Sequence, residues 1–547
     1  MRKCFFTIAI AFQLVFPLDS LAFTRIVDLF FDGKPVEPEK IEETLGTIKI
    51  NKEKNKKISN PKKLKPDRFF IVPAIQARPN DIQLEIDTSE VIVKSNKDVQ
   101  GPISNTAFLN SVTEAVDLWN NVGIANVMFA PLKFASVPAD PEDGNNIITF
   151  RAIESPEGVP EGSPVVSIVT YARSNIVTFM NQIIRVKPGT ILDADIIYDP
   201  TNDPCLALFT TEGEFAAGGS NTSISEGGTD PSLTTEDLAN CDVITGGDIT
   251  DLAVRTLANV LGLESSAIAS AASSPVSLAM LRYSLTNDDE IGLANLYPNK
   301  DALLTYGSAS GKVVLGKKAV RGAHVVFEDQ MTGEPVTSAI TDVYGKFKIN
   351  YIPAGTYNVY AEPLDGPARR SALTRNFFGF NAEENFTTGI LENPVVIESK
   401  KKTNLKISVK ELSGAAFNIN YLTSYLTEAD VVEGGGGFIL PIKIMAGGTL
   451  SNIRFWGSNI SPGFGTLTIS GTGVTVSNIR EDNNVSISPF SGDPPPDKVP
   501  GIVVDITCEP GTPTGPRNII FTGDTIEESN PSFGLRDQIT GGLFVTE

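Results

Sequence analysis

DLAVRTLANVLGLESS, residues Asp251 to Ser266, reads as one helix and its stop. Val254, Leu257, Ala258 and Leu261 fall at i, i+3, i+4 and i+7, so they form one buried stripe. Leu252, Arg255, Thr256 and Asn259 form the other. Gly262 ends the helix, as a residue free to take positive φ does. Read by themselves, these residues are a core helix closed by a glycine cap.

Working outward, residues 106–121 carry Leu109, Val112, Val116 and Trp119 at helical spacing. Residues 83–94 alternate apolar and polar positions, a strand pattern, and further strands are expected at Ile147–Phe150, Val165–Tyr171 and Ile191–Tyr198. A long loop is expected from Asp199 to Gly247. Residues 23–66 are poorly patterned and crowded with lysines from Lys49 to Lys65, which reads as a solvated linker or a pro-segment. Asp193, Asp195 and Asp199 are candidate calcium ligands, set against the plainer reading of a solvated, charged strand end.

Order and spacing in this region resemble the matrixin branch of the metzincin proteases. The pieces are Ala115 to Trp119 in the first helix, Ile191 to Ile196 in a strand, Leu261-Gly262-Leu263 in the turn, Met280 at the Met-turn position, and Asp288 to Pro298 in a closing helix. The resemblance implies an α+β metzincin-like domain over 67–304. The active family carries HExxHxxGxxH on this helix, where three His hold zinc and a Glu serves as base. Anchored on Gly262, the first His position holds Arg255, the Glu position Thr256, the second His position Asn259 and the third Ser265. The chain has one histidine, His324, beyond this region, so no register assembles three. A fixed cation at Arg255 opposes Zn²⁺, and Thr256 supplies no carboxylate base. Zinc is not expected. Glu264 and Asp251 are the nearby oxygen donors, of a kind that suits calcium or magnesium better than zinc.

Bulk properties bound the rest. A chain of 547 residues exceeds one hydrophobic core. A hydrophobic share of 41% with 20% charged residues suits a globular protein. A formal net charge of −20 argues against nucleic acid as partner, because phosphate is held by Lys and Arg. Residues 1–22 read as a signal peptide: Arg2 and Lys3, then an apolar run too short to span a bilayer, then Ser20-Leu21-Ala22. No later stretch reads as a transmembrane segment. Cys4 would leave with the signal, keeping Cys205, Cys241 and Cys508. In an oxidising compartment Cys205 and Cys241 are a candidate disulfide around a Gly/Ser/Thr-rich loop, and Cys508 is the odd thiol.

Beyond 300, short strands alternate with Gly, Pro, Asn and Asp turns, an all-β signature. Residues 308–365 resemble a carboxypeptidase-regulatory-like, transthyretin-type β-sandwich, on Gly311-Lys312-Val313, Gly322 to Val325, Thr341-Asp342, Gly345 to Phe347 and Ile352 to Val359. Asp342 with Gly345, and Pro353 with Gly355, mark turns, and His324 reads as a strand residue. Residues 435–547 resemble a bacterial immunoglobulin-like domain. Its strands are expected at Phe438–Ile444, Gly465–Val476, Gly501–Ile506, Asn518–Phe521 and Gly542–Thr546. The organisation expected is therefore a signal peptide (1–22), a Lys-rich segment (23–66), the metzincin-like domain (67–304), one β-sandwich (305–400), a linker or strand region (401–434) and a second sandwich (435–547). The function expected is that of a secreted, cell-surface or periplasmic noncatalytic metalloprotease-like protein. It would bind a protein, a peptide or an envelope component. The rival readings are an active zinc peptidase with an atypical site and a purely structural envelope or adhesion protein.

Overall fold

The computed structural model describes residues 24–31, 84–87, 105–126, 128–135, 144–150, 165–172, 176–179, 182–185, 191–198, 206–209, 215–217, 245–263, 265–274, 284–364, 382–412, 418–423, 440–458, 460, 462–463, 465–482, 501–523 and 536–547. They form twenty-nine strands and three α-helices, so the chain is mostly β.

Helix α1, Asn105–Asn120, forms where the apolar spacing places it. It buries Phe108, Val112, Ala115, Val116 and Trp119. Helix α2, Ile249–Val260, buries Leu252, Ala253, Val254, Leu257 and Ala258 against it. The Trp119 indole Nε1 donates to the Val254 carbonyl at 2.9 Å and ties the two helices together. Both share one core with a six-stranded mixed sheet that includes Leu84–Asp87, Asn146–Phe150, Val165–Ala172 and Ile191–Tyr198. The strand expectations at Ile147–Phe150, Val165–Tyr171 and Ile191–Tyr198 agree with the structure; of residues 83–94 only Leu84–Asp87 are described, and they form a strand.

Two expectations do not. Thr24–Phe31 is no linker but a strand, parallel to Val165–Ala172 over its whole length. The loop expected from Asp199 to Gly247 contains Leu206–Phe209, Phe215–Ala217 and Thr245–Asp248, which pair into a small sheet. Strands of three or four residues are too short to show alternation, and Thr245 pairs with Leu206 across the long intervening segment. The signal-peptide residues and Lys49 to Lys65 lie outside the described residues.

Helix α3, Asn287–Leu296, is opened by a capping box. The Thr286 side chain accepts from the Asp289 amide, and the Asp289 carboxylate accepts from the Thr286 amide. Ile291 and Ala294 on this helix belong to the core of the next body, a sandwich of two five-stranded sheets. Tyr306–Leu315 runs antiparallel to Lys346–Pro353 and parallel to Lys402–Glu411. The opposing sheet is built around His324–Asp329 and Gly355–Glu362. The Asp342–Gly345 turn forms as read: Asp342 Oδ1 accepts from the Tyr344 and Lys346 amides, and Gly345 sits at φ +70°.

The last body is a sandwich of two four-stranded sheets around Ile453, Phe455, Val504, Ile506, Ile519, Phe521 and Leu543. The strand expected over Gly465–Val476 is two strands, Gly465–Ile469 and Val474–Asp482. Gly471 and Gly473 between them take φ +79° and +82°, which breaks the extended run. The strand expected at Gly542–Thr546 begins earlier, at Arg536.

The α+β metzincin fold is corrected here. The residues that carried the resemblance have a local explanation. Leu257 and Leu261 are buried core, Leu263 packs on that core, and Gly262 takes φ +88° as the stop of α2. Any core helix ended by a glycine turn demands that pattern.

Candidate functional site

The residues singled out on α2 do not converge on a chemical centre. Thr256 is buried, and its hydroxyl donates back to the Leu252 carbonyl at 2.9 Å and the Ala253 carbonyl at 3.1 Å. Arg255 is half-buried at the residue level; burial lowers its guanidinium to about 10, against the opposing pull of Asp251 and Asp289. Asn259 and Ser265 are half-buried. Among the described residues, no group of three or more His, Cys, Asp or Glu could hold a metal ion. Met280, Glu264, Asp199, Cys205 and Cys241 lie outside the described residues. Cys508 is a buried free thiol.

Asp193 and Asp195 are not a solvated strand end. Both are fully buried. Asp193 Oδ2 accepts from the Gly144 amide at 2.7 Å, and Asp195 Oδ1 accepts from the Ile147 amide at 2.9 Å. The two carboxylates brace the neighbouring Asn146–Phe150 strand. A charged acceptor serves a buried N–H better than a neutral one.

Buried polar chemistry concentrates instead where the two sandwiches meet. Glu328, Tyr360 and Glu362 of the first face Asn518, Gln538 and Thr540 of the second, and all six are buried. Asn518 Nδ2 donates to Glu328 Oε2 at 2.6 Å and to the Tyr360 hydroxyl at 3.0 Å. Gln538 Nε2 donates to Glu362 Oε2 at 2.5 Å, and the Thr540 hydroxyl donates to Glu362 Oε1 at 2.8 Å. His324 Nδ1 lies 2.7 Å from that same Oε1. Burial pushes the Tyr360 phenol well above its usual range, the Glu362 and Glu328 carboxylates add to the shift, and Arg536, 5.3 Å from the ring centre, opposes it.

A second contact joins the same bodies. Glu334 accepts from Asn287 of α3 at 2.7 Å. Burial raises its carboxyl, while Asn287 and the fully buried Arg517 pull it back. The Ser470 hydroxyl donates to the Gly333 carbonyl at 2.5 Å. Gly333 takes φ +73° directly against the Gly471 backbone, where a side chain has no room. Within the N-terminal body, the loop after α2 also reaches the last sandwich: the Ala269 amide donates to the Thr540 carbonyl at 2.8 Å, and Ala269 belongs to that sandwich's core.

Apart from His324, read only as a strand residue, the reading of the sequence passed over this seam. A signal for it existed. Glu328, Glu362, Gln538 and Thr540 interrupt strands at positions whose face alternation left to solvent. Only a covering partner buries them.

No family model matches the chain, and no curated protein matches it. Solved structures similar to it include a DUF3823 family protein from Parabacteroides merdae at 13% identity, covering 44% of this chain and 98% of that one, with a TM-score of 0.13. A variant of BcpA, the major pilin subunit of Bacillus cereus, is 11% identical over 44% of this chain and 70% of that one, with a TM-score of 0.14. A putative carbohydrate binding protein from Bacteroides uniformis is 9% identical over 42% and 94%, also at 0.14. The described residues are mostly strand, with three α-helices, and no family model matches the chain, so the matrixin assignment is overturned. At such TM-scores the likenesses carry no argument about activity or partner.

Proposed function

We propose that this chain is a noncatalytic structural or adhesion protein of the cell surface, built as a stiff series of bodies and engaging an envelope component. One observation carries the reading: the bodies are joined by buried side chains rather than by a bare linker. The Glu328–Asn518 and Glu362–Gln538 hydrogen bonds cross between the two sandwiches. Ala269 of the N-terminal body sits in the core of the last sandwich. Buried hydrogen-bonded contacts resist bending because each one broken leaves a desolvated polar group behind. A stiff series holds a binding surface at a set distance, which is mechanical work rather than catalysis.

Two further observations agree with this. The residues of α2 are engaged in packing and backbone hydrogen bonds. No helix among the described residues is long and apolar enough to cross a membrane, which leaves β-barrels untouched.

The test is surface proteolysis of intact cells combined with binding of the purified protein to isolated envelope fractions. Susceptibility to external protease together with saturable envelope binding is the expected result. Retention in the cytosol, or chelator-sensitive cleavage of a peptide library by the purified protein, would sink the reading.

A further inference from the structure

We propose that the outward face of the sheet around Tyr306–Leu315 is a docking strip for a linear, carboxylate-bearing polysaccharide. The strip rests on the surface-protein reading above and names the chemistry of the envelope component.

Three neighbouring strands build it. Val313 on Tyr306–Leu315, Phe347 and Ile349 on Lys346–Pro353, and Ile407 and Val409 on Lys402–Glu411 belong to the core. Alternation sends Lys312, Lys346, Lys348, Lys402, Lys406 and Lys410 to the opposite face. All six are exposed except Lys312, which is half-buried. The register then sets lysines side by side. Lys312 pairs with Lys346 on one flank and with Lys406 on the other, so three lysines stand in one row across three strands. Their backbones are about 5 Å apart at each step. Lys402, Lys406 and Lys410 follow one another along a single strand at intervals of about 13 Å.

The outward positions between Ser308 and Lys312, Lys346 and Lys348, and Lys402 and Lys410 hold no Asp or Glu, in a chain with 65 acidic and 45 basic residues. No ion pair among the described residues engages Lys312, Lys346, Lys348, Lys402 or Lys406. Lys346 lies 5.9 Å from the centre of the exposed Tyr344 ring. Glu398, which precedes the strip, is taken by Lys401 at 2.5 Å. Like charges directly opposite one another on a sheet work against folding. A face that is merely solvated mixes both signs; this one gathers a single sign, and an anion laid across it relieves the repulsion.

The side chains select the occupant. Lysine offers a compact point charge on a flexible stem, which suits carboxylates spaced along a polymer. Hydroxyls and an amide share the face. The Ser310 hydroxyl donates to Asn404 Oδ1 at 2.9 Å, which leaves Asn404 Nδ2 to donate elsewhere. Ser408, two residues from Lys406, is exposed beside them. Groups that both donate and accept suit sugar hydroxyls. None of these outward positions is a large exposed apolar side chain, so the face has no wedge for a bilayer and no row of rings for stacked bases. The net charge of −20 repels a broad anionic surface. A slim polymer meets the strip alone, since charges beyond about 8 Å are screened at physiological salt.

The test is binding of the purified full chain to polygalacturonate, with dextran as the neutral polymer, at about 0.05 M and about 0.5 M salt, which bracket that screening length. Saturable binding of polygalacturonate but not dextran is expected, weakened about tenfold or more at the higher salt. The triple variant Lys312→Gln, Lys346→Gln, Lys406→Gln should lose about tenfold or more in affinity, given what a lysine contributes beside an anionic surface. Its urea midpoint should match or exceed the wild type, because like-charge repulsion is removed. Should the triple variant fail to fold, Lys406→Gln alone should still weaken binding severalfold. Lys133→Gln, in the N-terminal body, should leave binding unchanged. No binding of polygalacturonate at low salt, or equal binding by the triple variant, overturns the strip. So does binding of polyphosphate or anionic vesicles without polygalacturonate, or a low-salt dimer that the triple variant abolishes. Saturable envelope binding that survives in the triple variant sinks the strip and leaves the surface-protein reading standing; retention of the wild type in the cytosol sinks that reading instead.

Discussion

Asp288, on the first turn of α3, shows what a buried charge does in this protein. Its carboxylate accepts from the Ser266 hydroxyl at 2.6 Å, the Thr337 hydroxyl at 3.1 Å and the Ser338 amide at 2.9 Å, and so stitches the N-terminal body to the middle sandwich. Burial pushes its carboxyl above the usual range, the Ser266 hydroxyl pulls it back, and the neighbouring Asp289 pushes it further up. A carboxyl raised on folding binds its proton more readily in the native state. The native state therefore gains relative to the unfolded one as pH falls toward the ordinary carboxylate range. Asp288→Asn removes that titration. Urea unfolding at pH 7 and pH 5 should show the wild type gaining on the variant at the lower pH; a constant gap between the two would refute this. Asp288 was legible in the sequence only as part of a closing helix. Its partners lie 22 and about 50 positions away, and spacing does not announce them.

At the scale of the element, α2 and α3 have ends that the sequence states openly. Gly262 takes φ +88° at the stop of α2, where an L side chain is strained. Gly262→Ala should destabilise by roughly 1–2 kcal/mol in chemical denaturation. The α3 cap is more heavily loaded. Thr286→Ala should cost about 1 kcal/mol, the ordinary value of an N-cap. Asp289→Ala should cost more, on the order of 2–3 kcal/mol. Its carboxylate accepts from the Ala272 and Ser273 amides and the Ser273 hydroxyl as well as from Thr286, so its loss strands several donors at once. Asp289 costing no more than Thr286 would show that water replaces it. The patterns at Gly501–Ile506 and Asn518–Phe521 fall on strands of the last sandwich; the ten-residue strand Thr449–Ser458 was not placed, and Leu206–Phe209 and Phe215–Ala217 escaped as well. They exist because each finds a partner strand, not because of their own pattern.

At the scale of the whole molecule, the cores are not separate. Ile291 and Ala294 of α3 lie in the core of the middle sandwich, and Ala269 lies in the core of the last. Ile291→Ala should cost about 2–5 kcal/mol. Because its helix also places Leu293 and Leu296 in the N-terminal core, the loss should lower the unfolding temperature of both bodies together. Gly541→Ala should act similarly from the other side: at φ +69°, its new Cβ would sit 2.6 Å from Ser270 Oγ and 2.7 Å from Ile268 Cγ2. Calorimetry of the wild type should show the described bodies melting in one transition. Three well-separated transitions, with Ile291→Ala moving only one, would show them to be independent.

What the amino-acid sequence by itself determined is local. It set the two helices whose apolar residues recur every three or four positions, the strands long enough to alternate, and the turns where Gly262 and Gly345 take positive φ. It also settled a matter of inventory: one histidine cannot supply three zinc ligands. The family resemblance failed because a buried stripe followed by a glycine stop is common physics, shared by many helices without shared descent or chemistry. Only the tertiary structure decided what covers each face. Periodicity says which side chains point the same way, but not what they meet. Glu328 and Glu362 read as surface until Asn518, Gln538 and Thr540 close over them, and a carboxylate's role is set by the donors that replace its water.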